Sequence, residues 1–148
     1  MAETKSNLSE ERQKTQRPML KRVLCNYLPV SDIGRATNWY EETFGLTVRR
    51  SGSEDGAILV LGNGQWLFLL ESTDQRNANF TTDQWDGEGY EMFSLTFEVG
   101  DIIGLHKKLQ KSEAEVGPLV DHGSCGLQFK FKDIDGNKFN VWKDPISD

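Results

Sequence analysis

Leu28-Pro29-Val30-Ser31-Asp32-Ile33-Gly34-Arg35-Ala36-Thr37-Asn38-Trp39-Tyr40-Glu41-Glu42-Thr43-Phe44-Gly45-Leu46 reads as the end of a strand, a cap and an amphipathic helix. Asp32, or Ser31, has the short polar side chain that satisfies the free amides of a first helical turn. Ile33, Ala36, Tyr40 and Phe44 recur at helical spacing and give one apolar face. Trp39 lies beside that stripe and is expected in the core. Gly45 stands where a left-handed residue closes the helix. A second stretch, Phe131-Lys132-Asp133-Ile134-Asp135-Gly136-Asn137-Lys138-Phe139-Asn140-Val141-Trp142, reads as a strand, a tight turn and a closing strand.

Outward from the first stretch, a strand over about 21–30 precedes the helix. Strands over 46–50, 57–61 and 65–71 follow it, separated by a turn cluster at 51–56 and the hairpin signal Gly62-Asn63-Gly64. The first half is thus βαβββ. Residues 72–91 are polar and long for a connection inside a compact domain, which predicts a linker or a functional flap. The second half repeats the order. A strand over 93–99 leads to a helix over 102–112, capped by Asp101, with Ile102, Leu105 and Leu109 on one face. A short strand near 115–119, a strand over 124–132, the turn at 133–137 and a strand over 138–143 complete it. The organisation expected is an arm (1–19), a first module (20–71), an acidic linker or flap (72–91) and a second module (92–148), the pattern repeating at roughly 70 residues.

A chain of 148 residues implies one domain, or two small similar halves sharing a sheet. Hydrophobic residues are 36% and charged residues 27%, ordinary for a globular protein. No apolar run approaches the ~20 residues that cross a bilayer, and no apolar stretch follows the N-terminal charges, so a cytoplasmic protein with no membrane partner is expected. Residues 1–19 are polar and lack aromatics, which predicts a mobile arm with at most a helical turn at 9–16. Cys25 and Cys125 are the two cysteines, read as buried or half-buried thiols without a disulfide. Net charge is −6, although Lys5, Arg12, Lys14 and Arg17 outnumber the acids of the arm, so the body is more acidic still. An acidic body disfavours nucleic acid and favours cationic or neutral small molecules.

With both stretches in place, the chain resembles the vicinal oxygen chelate superfamily, also called the glyoxalase/bleomycin resistance protein/dioxygenase family. Val30-Ser31-Asp32, Trp39-Tyr40 and Phe44-Gly45-Leu46 match its strand–helix entry. Phe131-Lys132-Asp133-Ile134-Asp135-Gly136-Asn137 matches its penultimate turn, with Ile134 where the family usually has Pro. The resemblance implies an α+β fold in which two paired βαβββ modules form a half-open mixed β-barrel around a ligand cavity. It also implies a homodimer. In metal-dependent members, four inward side chains hold a divalent ion that a bidentate substrate chelates. Carried onto this chain, those positions fall at Cys25, Glu71, Ser94 and Asn140. Only Glu71 is a usual donor: Cys25 is soft, Ser94 is a poor ligand and Asn140 offers a neutral carbonyl. His106 is read as a solvated helix residue, and His122 as a loop residue or a lining of the cavity mouth.

With that donor set no cofactor is expected, a divalent metal entering only under the alternative below. Strand alternation puts Tyr27 with Cys25, Trp142 with Asn140, and Thr96 with Ser94, all toward the cavity. Leu67 and Leu69 share the face of Glu71, so they too are expected in the cavity, whereas Trp66, with Phe68 and Leu70, is expected in the core. Phe80, Trp85 and Tyr90 lie among the acids of 72–91, an arrangement suited to a planar cation or to a solvated acidic loop. The ligand set is then Cys25, Tyr27, Glu71, Ser94, Asn140, Trp142 and Trp85, with Glu71 the one candidate base. The leading expectation is a metal-free small-molecule-binding protein that sequesters a drug, cationic or aromatic. The alternative is a metal-dependent lyase, isomerase or dioxygenase with an altered ligand set, and a third is a sensor module using the same cavity.

Overall fold

A computed structural model describes residues 17–50, 56–74 and 76–145 of the chain. The helical turn expected at 9–16 and most of the arm lie outside the described residues, and 17–24 run exposed without regular structure. The first sheet follows from β1 (Cys25–Val30), α1 (Ile33–Phe44), β2 (Thr47–Arg50), β3 (Gly56–Val60) and β4 (Trp66–Glu71). Its order is β1-β4-β3-β2, with β1 parallel to β4 and the other pairs antiparallel.

The caps are those the sequence predicts. Asp32 Oδ1 accepts from the Arg35 amide at 3.0 Å, and Gly45, at φ 66°, donates its amide to the Glu41 carbonyl at 2.9 Å. A residue with a Cβ would be strained at that φ, which is why glycine ends the helix. The stripe Ile33, Ala36 and Tyr40 is buried beneath the sheet. Burying side chains of this size stabilises a fold by about 1.5–3 kcal/mol each.

Residues 72–91 hold more structure than a linker. Phe80–Thr82 (β5) and Tyr90–Met92 (β6) pair as an antiparallel hairpin, and the Gly89 amide donates to Asp83 Oδ1 at 2.7 Å to brace its loop. The polar composition that suggested a linker belongs to this loop, whereas Phe80, Thr81, Thr82 and Tyr90 are strand formers. The chain continues through β7 (Thr96–Glu98), α2 (Ile102–Gln110), β8 (Glu115–Val116), β9 (Val120–Asp121), a 3₁₀ turn at Gly123–Cys125, β10 (Leu127–Lys132) and β11 (Lys138–Lys143). The second sheet runs β7-β11-β10-β8, with β9 also on β10. In each large sheet the first strand lies parallel beside the last.

The sheets do not close into a barrel; they stay as separate four-, five- and two-stranded units. The reason lies in the core. Leu28, Leu59, Leu67 and Leu69 from one sheet and Phe129, Phe131, Phe139 and Val141 from the other join Ala36, Tyr40, Ile102 and Leu109 of the helices in a single cluster. Each large sheet thus spends one face on a common core with the helices. The opposite faces point away from it.

Candidate functional site

Those two remaining sheet faces carry most of the side chains expected to bind a ligand. On the first sheet, Cys25 and Tyr27 share a face of β1. The register sets Trp66 beside Cys25, Phe68 beside Tyr27 and Leu70 beside Pro29. The Tyr27 and Phe68 rings lie 5.4 Å apart, and the Arg49 guanidinium sits 4.5 Å over Trp66. Tyr27 is 64% exposed. This reverses the expectation for β4: Leu67 and Leu69 are core, while Trp66, Phe68 and Leu70 flank the candidate ligand residues. Trp66-Leu67-Phe68-Leu69-Leu70 is apolar on both faces, so alternation alone does not choose. Packing beneath α1 does.

Glu71 pairs in register with Val30, a core residue, and is itself exposed at the strand end. The structure does not bring it to Cys25. Burial raises the Cys25 thiol pKa, partly offset by a backbone hydrogen bond from Phe68. Cys125 is exposed on the 3₁₀ turn, where a half-buried thiol was expected.

On the second sheet, Asn140 and Trp142 share a face of β11. Thr96 lies opposite Asn140, as expected from its alternation, and Ser94 is exposed in the bend just before β7. Asn140 is buried; its Nδ2 donates to Thr96 Oγ1 at 3.3 Å and to Gln128 Oε1 at 3.1 Å. Among the described residues, the Oδ1 of Asn140 has no partner. Trp142 Nε1 donates to the Cys125 carbonyl at 2.8 Å.

Sequence reasoning missed the rest of this face. Gln128 lies opposite Trp142, Lys130 opposite Asn140 and Lys132 opposite Lys138. The signal was present in Gln128-Phe129-Lys130-Phe131-Lys132, which alternates strictly.

Strand β6 and its loop border the same face. Lys132 Nζ meets Glu91 at 2.8 Å and Glu115 at 3.7 Å. Lys138 Nζ donates to the Glu91 carbonyl at 2.6 Å and lies 4.1 Å over the Tyr90 ring. The hydrogen bond from Lys132, then that from Asn79, holds the Glu91 carboxyl below its usual range; the same bond raises Lys132. Trp85 is exposed and meets Phe93 edge-on at 6.3 Å. His106 is half-buried rather than solvated, its Nε2 2.8 Å from the Gly117 carbonyl and its ring edge-on to Phe129. His122 is exposed in a loop.

A divalent ion fits this set poorly. Cys25 is flanked on β4 by Trp66 and Phe68, which have no donor for a hard cation, and Asn140 offers only a neutral amide oxygen. Among the described residues, no three His, Cys, Asp or Glu side chains gather into a metal-binding group. What the arrangement offers is stacking on Tyr27, Phe68 and Trp142, and polar contacts at Asn140, Gln128, Thr96 and Lys130. Among the described residues, no helix is long and apolar enough to cross a membrane.

The family model of the Glyoxalase/Bleomycin resistance protein/Dioxygenase superfamily matches residues 20–141. Solved structures with this fold include the genomically encoded fosfomycin resistance protein FosX from Listeria monocytogenes, 14% identical, with a TM-score of 0.66 over 86% of this chain and 97% of that one. TnmS3, an antibiotic binding protein from Streptomyces sp. CB03234, is 21% identical, with a TM-score of 0.63 over 86% and 99%. Lactoylglutathione lyase from Agrobacterium tumefaciens is 16% identical, with a TM-score of 0.61 over 85% and 96%. Among curated proteins, none matches the chain.

Proposed function

The chain belongs to the Glyoxalase/Bleomycin resistance protein/Dioxygenase superfamily, and from that membership we propose that it binds a small organic molecule without a resident metal, as a sequestering protein for a drug or antibiotic. The observation that carries this reading is the chemistry of the two free sheet faces. They present Cys25, Tyr27, Trp66 and Phe68 on one sheet and Asn140, Gln128, Thr96 and Trp142 on the other. Aromatic walls with a few hydrogen-bonding groups suit reversible binding; among the described residues Glu98 is the one carboxylate paired in register with them and no imidazole joins it, a set too sparse for Lewis-acid chemistry. The resemblance to an antibiotic binding protein and to a fosfomycin resistance protein favours a drug as ligand.

The Tyr27 face and the Asn140 face lie on the sides of their sheets opposite the common core. We propose that a second copy completes the cavity, setting the Tyr27 face of one protomer against the Asn140 face of its partner. This would assemble the half-open barrel of paired βαβββ modules from two chains.

Native mass spectrometry of freshly purified full-length protein tests both points. The expected result is a dimer mass with no stoichiometric metal and with room for a retained small molecule. Stoichiometric retained metal would overturn the binding-protein reading, and a monomer at micromolar concentration would overturn the shared cavity. Trp142→Phe is expected to remove most of the ligand-dependent change in tryptophan fluorescence.

A further inference from the structure

The face of the second sheet that points away from the core carries three lysines in two adjacent rows, Lys130 beside Asn140 and Lys132 beside Lys138. Two of the three are already satisfied. Lys132 is held by Glu91 and Glu115, and Lys138 by the Glu91 carbonyl and the Tyr90 ring. Strand β6 thus neutralises the lower row. Lys130 is half-buried and, among the described residues, has no carboxylate partner; its ammonium lies 5.8 Å from the Phe93 ring, which Trp85 meets edge-on.

Next to it, Asn140 is 5% exposed and its Oδ1 is unpartnered. Gln128 Nε2 donates to the Cys125 carbonyl at 3.4 Å, so its Oε1 is left to accept from Asn140 Nδ2, which fixes the Asn140 amide with its Oδ1 on the other side. A buried acceptor without a donor is destabilising, and a ligand donor would relieve it. An ammonium with a ring contact but no carboxylate partner among the described residues, and an unsatisfied carbonyl in the same row, therefore suit a ligand with an anionic group and a hydrogen-bond donor.

Of the acids of 72–91, which from the sequence suggest a receiver for a cation, three are directed elsewhere, while Asp86 and Glu88 stay exposed on the loop. Glu91 is spent on Lys132, Asp83 on the Gly89 amide, and Asp74 on Ser72 and Arg76. Glu98, beside Trp142 in register, is the acid that shares the face and opposes an anion.

We infer that this face takes a planar organic anion, with its carboxylate, sulfonate or phosphonate group at Lys130, an N–H or O–H at Asn140 Oδ1, and its ring against Trp142 or Trp85. This rests on the proposal that the sheet faces bind small molecules, and it names the charge of the ligand.

The test uses a matched pair sharing one phenol ring, 4-hydroxyphenylacetate (anionic) and tyramine (cationic), titrated into isotope-labelled full-length protein. The readouts are the Trp142 indole and Asn140 side-chain amide signals in NMR spectra. The anion is expected to bind about tenfold or more tightly than the cation, since a hydrogen bond to a charged group contributes about 1.5–3 kcal/mol. Lys130→Met should abolish the preference, and Lys130→Arg, which keeps the charge, should retain it. Equal or tighter tyramine binding at these signals would overturn the anion assignment while leaving the binding site standing. So would anion binding unchanged in a folded Lys130→Met protein. If neither compound moves these signals, both the assignment and the site fail.

Discussion

The Tyr40 hydroxyl donates to Asp133 Oδ2 at 2.5 Å, across 93 positions of sequence and inside the core. It joins the helix of the first decisive stretch to the turn of the second. Ser31 adds its amide and hydroxyl to Asp135 Oδ1 at 2.9 and 2.7 Å, and Asn137 Nδ2 donates to the Pro29 carbonyl at 3.0 Å. The β10–β11 turn is thereby pinned to the corner between β1 and α1, and this fixes how the two large sheets face the shared core.

Tyr40→Phe is expected to destabilise the fold by about 1–3 kcal/mol at neutral pH, because it strips a donor from a buried carboxylate. Burial pushes the Asp133 carboxyl above its ordinary value, even though Tyr40, Asn137 and Asp135 all bond to it. The folded state therefore holds its proton where the unfolded chain has lost it. Stability from this group is present below the ordinary Asp range and is lost as pH rises through the raised folded value. Without Tyr40 the raised value moves higher, so the difference between variant and parent should shrink on acidification. Urea denaturation near pH 7 and near pH 4 measures it; an equal loss at both would contradict the assignment.

The two faces of β4 are separable by mutation. Leu69 is 0% exposed and Leu70 is 37% exposed. Leu69→Ala should cost about 2–5 kcal/mol, and Leu70→Ala less than about 1 kcal/mol. The opposite ranking of denaturation midpoints would mean that the register places the other face in the core.

Glu91→Gln should loosen the β5–β6 hairpin by releasing Lys132. Because that lysine holds the Glu91 pKa below the usual carboxylate range, the contact is intact above the ordinary Glu range and is lost as pH falls through the lowered value. In the parent protein, amide protection factors in 80–92, which correct for the intrinsic pH dependence of exchange, should fall only in acid. In the variant they should already be low at neutral pH.

The two thiols should differ in reactivity. Cys125 is exposed, whereas Cys25 is half-buried with a raised pKa. Iodoacetamide at pH near 8 should modify Cys125 first by a wide margin, read by peptide mass spectrometry. Addition of a ligand that covers the Tyr27 face should slow Cys25 further.

The elements and their caps were legible because they rest on local rules. Asp32, Asp101 and Gly45 act through neighbours within four residues, and Gly136, at φ 83°, turns the chain between two strands whose alternation is plain. Asn140 and Trp142 sharing a face, and Cys25 and Tyr27 sharing another, followed from strand period alone. Three things were not legible. The choice of face on β4 was hidden by five apolar residues in a row. The hairpin in 72–91 was hidden by the polar loop between its strands. That Lys130 has no carboxylate partner among the described residues depended on which lysines Glu91 and Tyr90 reach from another part of the chain.

By itself, the sequence determined which residues share a face, where the helices begin and end, and which family the fold follows, since periodicity and capping are properties of short segments. Only the tertiary structure decided which face of each sheet is covered, that the sheets meet through a common core instead of closing into a barrel, and which charges remain free. Those outcomes depend on pairing register and on contacts across long sequence separations. A slip of a single residue exchanges the faces of a strand, and one ion pair from a distant segment changes the charge a site presents.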